Sequence, residues 1–272
     1  MMRKIFKMLA RIYFALTIVI LCISIIIAGC ATKVVDDDGR PSIIYVDKGI
    51  NAVDAWNNVR LKKSRALWVE ESDNDGDVFS AGFAAYRIAS ITGDFKWSKE
   101  AIRLLTIAKE QLPNFALATA WLGSSHSLAA RDFPVQGAWQ IIPGPGFIRI
   151  YHVWRAESLL NEAVEQDEKN PAVRLIRAAT INAMPAILVD HEVAEDDFRL
   201  LAKWANDPSL NPDYFDVLLS NDWLSSFYLF YAEKLSEDGE SKRSLAYLKK
   251  LEKIAPTTEL RNLALWKISK KK

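Results

Sequence analysis

Apolar residues recur at three- and four-residue intervals from about Asn51 to the end of the chain, which is the spacing of one face of an α-helix. Runs that alternate apolar and polar residues are too short to indicate a sheet. The periodic segments are interrupted by turn-forming residues at Gly76, Gly93-Asp94, Pro113-Asn114, 132–147, Pro171, Pro185, Asp207-Pro208, Gly239 and Pro256. The pattern predicts an all-α fold of helix pairs joined by short turns.

Several of the predicted helices share a spacing in which small residues lie seven positions apart with a large apolar residue between them. This spacing lets one helix pack closely against its neighbour. The residues that follow it are Ala101, Leu105, Ala108 and Pro113, then Ala156, Leu160 and Ala163, and finally Ser244, Leu248, Leu251 and Pro256. After Pro113 the chain continues with Asn114-Phe115-Ala116 and then Leu122-Gly123. This order resembles the tetratricopeptide repeat, in which a proline ends one unit and an Ala…Leu-Gly helix opens the next.

The resemblance covers roughly residues 75–270, about three to four units, and implies stacked antiparallel helix pairs, an α-solenoid, over residues 49–272. The match is degenerate, because Pro171 follows Ala163 by eight residues rather than five and Ser244 replaces the usual alanine. We expect Thr257–Ile268 to close one end of the stack and Asn51–Glu70 to cap the other, since stacked arrays need a cover over each terminal unit.

The first 30 residues predict an export signal. Arg3, Lys4, Lys7 and Arg11 precede an uncharged stretch from Ile12 to Gly29, as in secretory signal peptides. The sequence Ile27-Ala28-Gly29-Cys30 resembles the bacterial lipobox. That resemblance implies removal of residues 1–29, lipid attachment at Cys30 and a tether over residues 30–48. Ala31 then favours the outer membrane if the host has two membranes. The alternative is an uncleaved transmembrane anchor, because 18 uncharged residues can just span a bilayer.

Composition and charge exclude several classes of protein. The chain of 272 residues is 50% hydrophobic, which is ample for a packed core, and carries a formal net charge of +1, which gives no basic footprint for nucleic acid. Cleavage before Cys30 would remove four basic and no acidic residues, leaving 31 basic and 34 acidic residues. The basic stretch Arg60–Arg65 is typical of a solvated helix face. Cys22 would leave with the signal, so no thiol chemistry is expected in the mature domain.

No sequence motif indicates a catalytic residue, a metal or a cofactor, and we expect the protein not to be an enzyme. Asp190-His191-Glu192 fits an exposed helix start better than a metal site. The acidic stretch 71–78 resembles a calcium loop, but its twelfth position is Gly82, which lacks the closing carboxylate, so a turn that caps a helix near Val78 is favoured. In 124–127 (SSHS), neighbouring helix positions point apart and cannot form a nucleophile–base pair.

The segment 131–151 is predicted to be a long loop, rich in aromatic residues, glycine and proline, inserted between two helices. Long loops in compact domains are usually functional or disordered, and aromatic residues beside arginine are typical of binding hot spots. The candidate ligand- or partner-binding residues are Trp121, His126, Arg131, Phe133, Trp139, Phe147, Arg149, Tyr151, His152 and Arg155. The hypothesis is one pocket formed by the loop with Trp121 and His126. The alternative is that the loop folds back and fills a gap in the helical stack.

These observations favour a lipid-anchored protein of the cell envelope that binds a protein or peptide partner on the extended concave face of a helix stack. The alternative function is a small-molecule-binding accessory of a transport system, whose loop closes over an anionic or aromatic solute. An envelope enzyme is a third class, for which the sequence offers no nucleophile, metal set or carboxylate pair.

Overall fold

The computed structural model of the protein describes residues 48–72, 76–134 and 143–271. Within these ranges the chain is all-helical, as the hydrophobic pattern predicts, and contains no strand. The α-helices are α1 Lys48–Glu71, α2 Val78–Thr92, α3 Phe95–Gln111, α4 Ala116–Asp132, α5 Pro143–Gln166, α6 Pro171–Asn182, α7 His191–Asn206, α8 Phe215–Leu219, α9 Asn221–Glu237, α10 Ser241–Ile254 and α11 Thr258–Ser269. Two 3₁₀ turns, Pro208–Leu210 and Pro212–Tyr214, precede α8.

Polar side chains start many of these helices, and several of them lie at or next to a predicted break. The carboxylate of Asp77 accepts hydrogen bonds from the backbone N–H groups of Phe79 and Ser80 at the start of α2. The same kind of N-cap is provided by Asp94, Asn170, Asp190, Ser220 and Thr257. Each satisfies backbone donors that have no partner within the helix. Gly93 ends α2 with φ +66°, a left-handed conformation that glycine adopts without strain.

Consecutive helices pack against each other along the chain, which confirms the prediction of neighbouring helix pairs. Small residues set the closest approaches. A Cβ atom added to Gly123 would lie 2.9 Å from Leu160 Cγ and 3.0 Å from the carbonyl oxygen of Ala156, so α4 and α5 meet at this glycine. Gly82 has the same role between α2 and α3, where an added Cβ would lie 2.8 Å from Leu105 Cγ. The recurring small residues Ala101, Ala108, Ala156 and Ala163 are fully buried, as close helix packing requires.

The first and last helices also pack against each other. Val53 and Trp56 of α1 contact the hydrophobic cluster that contains Leu260 and Leu263 of α11. In an open solenoid each unit contacts only its neighbours, and the two capping helices lie apart. Here the two expected caps, α1 and α11, pack against each other, so the described helices do not form an open stack. Whether the helix pairs are true tetratricopeptide units stays a prediction.

The predicted loop over residues 131–151 is wrong at its C-terminal end, because α5 begins at Pro143 and residues 143–151 form its first turns. Proline lacks an N–H group, but the first helical turn does not need one, so Pro143 and Pro145 can begin a helix. At the other end, residues 131 and 132 belong to α4. The segment between α4 and α5 is therefore 133–142, about half the expected length.

Several predictions fall outside the described residues: the signal peptide 1–29, the lipidation site Cys30, nearly all of the tether 30–48, and Trp139. Among the helices that the structure does describe, none combines the length and the apolar character needed to cross a bilayer.

Candidate functional site

Four large apolar side chains of α5 face solvent. Phe147, Tyr151 and Trp154 are spaced four and three residues apart, so they lie on one face of the helix, and Ile148 lies beside them. Their exposed fractions are 55% for Phe147, 43% for Ile148, 56% for Tyr151 and 61% for Trp154. We call these four residues the α5 aromatic face. Apolar side chains grouped on the surface in this way mark interaction sites, whereas single exposed ones are common.

The opposite side of α5 packs on α4 and places Arg149 in the interior. The guanidinium Nε of Arg149 donates to the carbonyl oxygen of Ala130 at 2.9 Å, and Nη2 donates to that of Arg131 at 3.2 Å. Both carbonyls belong to the last turn of α4, where they have no partner within the helix. The pKa of Arg149 is lowered by burial. Arg149 therefore joins two helices and does not edge a binding site as the sequence led us to expect.

Two imidazoles face each other beneath the α5 aromatic face. Nδ1 of His126 on α4 lies 2.8 Å from Nδ1 of His152 on α5, so one ring donates this hydrogen bond and the other accepts it. Burial lowers the pKa of His126 to about 3, with smaller contributions from the neighbouring His152 and from the charge of Arg155, and burial also lowers the pKa of His152. The two rings are therefore neutral at neutral pH. No group of three or more potential metal ligands occurs in the described ranges.

Arg131 and Phe133 connect the end of α4 to its neighbours. Arg131 forms an ion pair with Asp132, with 2.6 Å between Nε and Oδ1, and its Nη2 donates to the carbonyl oxygen of Ala89 at the end of α2. Phe133 packs edge-to-face on Phe95 of α3, with ring centroids 5.3 Å apart. Both residues fit the alternative interpretation, in which this segment stabilises the stack.

Trp121 lies in a different place from the other candidates. It contacts the rings of Phe83 and Tyr86 on α2, at centroid distances of 4.8 Å and 4.7 Å. It also lines a cavity of about 240 Å³ between α2, α4, α6 and α9, and none of the other candidates that the structure describes lines it. The described candidates are distributed among an exposed face, the α4–α5 interface, the contact with α3 and this cavity. The single pocket stays a prediction, because most of the loop that would form it, with Trp139, lies outside the described residues.

Sequence reasoning missed the partial burial of two arginines, one on α1 and one on α2. Arg60 was expected on a solvated face, and Lys62, Lys63 and Arg65 are indeed exposed, but Arg60 is half-buried, and so is Arg87 of α2. The guanidinium carbon of Arg60 lies 5.4 Å from the ring centroid of Trp56, and that of Arg87 lies 5.6 Å from Phe83. Each aromatic residue precedes its arginine by four positions. An aromatic–arginine pair at this helical spacing is the signal that could have found both residues.

The other predicted features have local structural roles. Asp77 caps α2, as the alternative to a calcium loop predicts, and Asp190 caps α7, whose first residue, His191, has Nε2 2.8 Å from the carbonyl oxygen of Met184. The hydroxyl groups of 124–127 do not meet an imidazole: Ser125 donates to the carbonyl oxygen of Trp121, and the Ser124 and Thr180 hydroxyls lie 2.7 Å apart.

Comparison with known proteins gives no match to a family model, to a curated protein or to a solved structure.

Proposed function

We propose that this protein is a lipid-anchored component of the cell envelope that binds a protein partner through the α5 aromatic face. The observation that carries this proposal is the exposure of Phe147, Tyr151 and Trp154 on one side of a helix whose other side is fully packed. Tryptophan and tyrosine with a neighbouring arginine supply most of the binding energy in protein interfaces.

The charges beside the face favour a protein partner with acidic residues around an apolar surface. Arg155 lies at the edge of the face, is exposed, and forms no ion pair with any described residue. A chain processed at Cys30 carries 31 basic and 34 acidic residues, so its net charge does not attract it to anionic lipid. The membrane is contacted through the acyl groups on Cys30, and the aromatic face remains available to the partner.

The lipid anchor can be tested separately. Cells that express the full chain and cells that express Cys30→Ala are labelled with an alkyne analogue of palmitate. The proposal predicts label and membrane retention for the unaltered chain, and neither for the variant. Equal labelling of the two chains would contradict attachment at Cys30.

Docking on the α5 aromatic face is tested by site-specific photocross-linking in the native host. A benzophenone amino acid at Tyr151 is expected to form one dominant protein adduct. The same probe at Phe215, an aromatic position on α8 that is also exposed, is expected not to form it. Identical adduct patterns at both positions would contradict a specific face.

The cross-linked partner is then purified and titrated. Trp154→Ser should weaken its binding by about 30-fold or more, since central aromatic residues in interfaces contribute roughly 2 kcal/mol or more. Leu265→Ser on α11 is the matched control, because it also removes an exposed apolar side chain, and it should leave the affinity unchanged. Lipid vesicles are tested with the same chains. If the unaltered chain and Leu265→Ser bind the vesicles and Trp154→Ser does not, the α5 aromatic face contacts the membrane instead of a protein.

A further inference from the structure

The second function expected from the sequence, small-molecule binding, has support in a part of the molecule other than the α5 aromatic face. The cavity of about 240 Å³ lies between α2, α4, α6 and α9, and none of the described side chains of α5 lines it. It is partly open to solvent, and its walls are mostly apolar. Because protein interiors contain few voids larger than a water molecule, a space of this size and character is a candidate ligand site.

Aromatic side chains from three helices form a large part of the cavity wall. They are Tyr86 of α2, Trp121 of α4, and Trp223 and Phe230 of α9. The rings of Tyr86 and Trp121 contact each other with centroids 4.7 Å apart, and Trp223 stacks on Phe227 with centroids 5.3 Å apart. These contacts hold the rings in place before a ligand arrives. Rings fixed around a space suit a flat aromatic ligand, which gains from edge-to-face and offset stacked contacts.

The dimensions of the cavity limit the size of its ligand. An apolar cavity of about 150 Å³ in another protein holds a benzene molecule. A cavity of about 240 Å³ therefore has room for an aromatic molecule of two rings, but not for a peptide. Ser226 and Phe230 lie one helical turn apart on α9 and are exposed, whereas Trp223 is only 7% exposed. The mouth of the cavity is therefore at Ser226 and Phe230, and Trp223 lies further inside.

The charge of the ligand follows from the polar groups in the wall. None of the described residues that line the cavity is charged, and its polar groups are the hydroxyls of Tyr86, Thr180 and Ser226. Thr180 Oγ1 lies 2.7 Å from Ser124 Oγ, and Ser226 donates a hydrogen bond to the carbonyl oxygen of Asp222. A carboxylate or an ammonium group in the cavity would lose its hydration without gaining a counter-charge. The walls therefore favour a neutral molecule.

We propose that the cavity binds a neutral aromatic molecule of about two rings, which enters past Phe230 and contacts Trp121 and Trp223. Its affinity comes from removing the apolar surface of the ligand and of the cavity wall from water. The site is independent of partner docking on α5, because the cavity and the α5 aromatic face share no residue.

The test compares three probes by isothermal titration calorimetry on the purified mature chain. 2-Naphthamide is neutral and has two rings, 2-naphthoate has the same shape but carries a negative charge, and benzamide is neutral but has one ring. We expect 2-naphthamide to bind at least about 10-fold more tightly than either of the other two. The carboxylate would lose hydration on entering the cavity, and the single ring would bury less apolar surface.

Two variants test the location of the site, each with a matched control. Ala179→Phe places a ring in the cavity and should abolish binding of 2-naphthamide, whereas Ala246→Phe adds the same ring at an exposed position of α10 and should not. Phe230→Ser removes a wall ring that is 41% exposed and should weaken 2-naphthamide by about 10-fold. Phe215→Ser removes a ring that is 43% exposed and does not line the cavity, and should leave the affinity unchanged.

Helix content and thermal stability of each variant are checked by circular dichroism. Four results would overturn the proposal: binding of 2-naphthoate as tight as that of 2-naphthamide, equal binding of benzamide, failure of all three probes to bind the unaltered chain, or retention of 2-naphthamide binding in a folded Ala179→Phe chain.

Discussion

Two pairs of arginines lie partly buried in the described part of this protein, and they differ in whether a carboxylate pairs with them. Arg174 and Arg177 on α6 share the buried carboxylate of Asp197 on α7, with Nη1 of Arg174 and Nε of Arg177 at 2.6 Å and 2.7 Å from its oxygens. Arg60 and Arg87 have no such carboxylate among the described residues. The first pair is neutralised within the fold, whereas the second pair stacks on the rings of Trp56 and Phe83. A buried arginine is thus informative about function only after its acceptors have been identified.

The largest effect is expected where the fold supplies the carboxylate. Asp197→Ala should lower the free energy of unfolding by about 3–5 kcal/mol, because it leaves two poorly solvated guanidinium groups without a counter-charge. Urea unfolding of the mature chain measures this difference. Asp196→Ala, one residue away and exposed in its pair with Arg199, should change stability by no more than about 0.5 kcal/mol. Equal effects of the two variants would contradict the structural role of Asp197.

Removing one arginine of the neutralised pair should have a smaller cost. Arg177→Gln loses the hydrogen bonds to Asp197 and to the Asn161 side chain, but Arg174 still neutralises the carboxylate. We expect a loss of about 1.5–3 kcal/mol in the same unfolding experiment, the range for hydrogen bonds to charged groups. A loss as large as that of Asp197→Ala would mean that Arg174 alone does not balance Asp197.

The histidine pair shows a third way to bury a basic group, which is to keep it uncharged. Because burial lowers the pKa of His126 to about 3, an unfolded chain binds a proton at His126 below about pH 6.5 and the folded chain does not. Stability should therefore fall as the pH is lowered from about 6.5 towards 3. His126→Gln should reduce that fall by at least about 1 kcal/mol, because a shift of one pKa unit corresponds to about 1.4 kcal/mol. Unfolding curves at several pH values measure this difference in stability between the variant and the unaltered chain. An unchanged pH profile in His126→Gln would contradict a lowered pKa of His126 in the folded chain.

The smallest effect on stability is expected at Arg60 and Arg87. Arg60→Gln or Arg87→Gln should leave the free energy of unfolding unchanged or raise it slightly, because each variant relieves repulsion between like charges. Thermal unfolding of the mature chain checks this expectation. A loss of more than about 1 kcal/mol would show that these arginines hold the helices together, as Arg177 does.

The sequence predicts the helices well because the relevant information is local. Hydrophobic spacing, and capping residues such as Asp77 and Asn170, act within a few positions of the chain. The site was harder to predict, since burial depends on which helices meet. The contact of α1 with α11 joins residues about 200 positions apart, and no local pattern reveals it.

The positions of Arg149 and Arg60 were hard to predict for the same reason. Arg149 was expected at a binding site because aromatic residues surround it in the sequence, but its acceptors are the carbonyls of α4. Arg60 was expected in solvent because lysines follow it, but it is half-buried and stacks on the ring of Trp56. Phe147 and Tyr151 of the α5 aromatic face were predicted as binding residues, but in a loop. The structure places them on a helix that begins at Pro143, and prolines at the start of a helix resemble a loop in the sequence.

A crystal structure of the mature chain tests the comparison of the two arginine pairs most directly, because it shows which acceptors lie near each guanidinium group. The account predicts the oxygens of Asp197 within hydrogen-bonding distance of Arg174 and Arg177, and no carboxylate of the chain at that distance from Arg60 or Arg87. A carboxylate of the chain paired with Arg60 or Arg87 would contradict it.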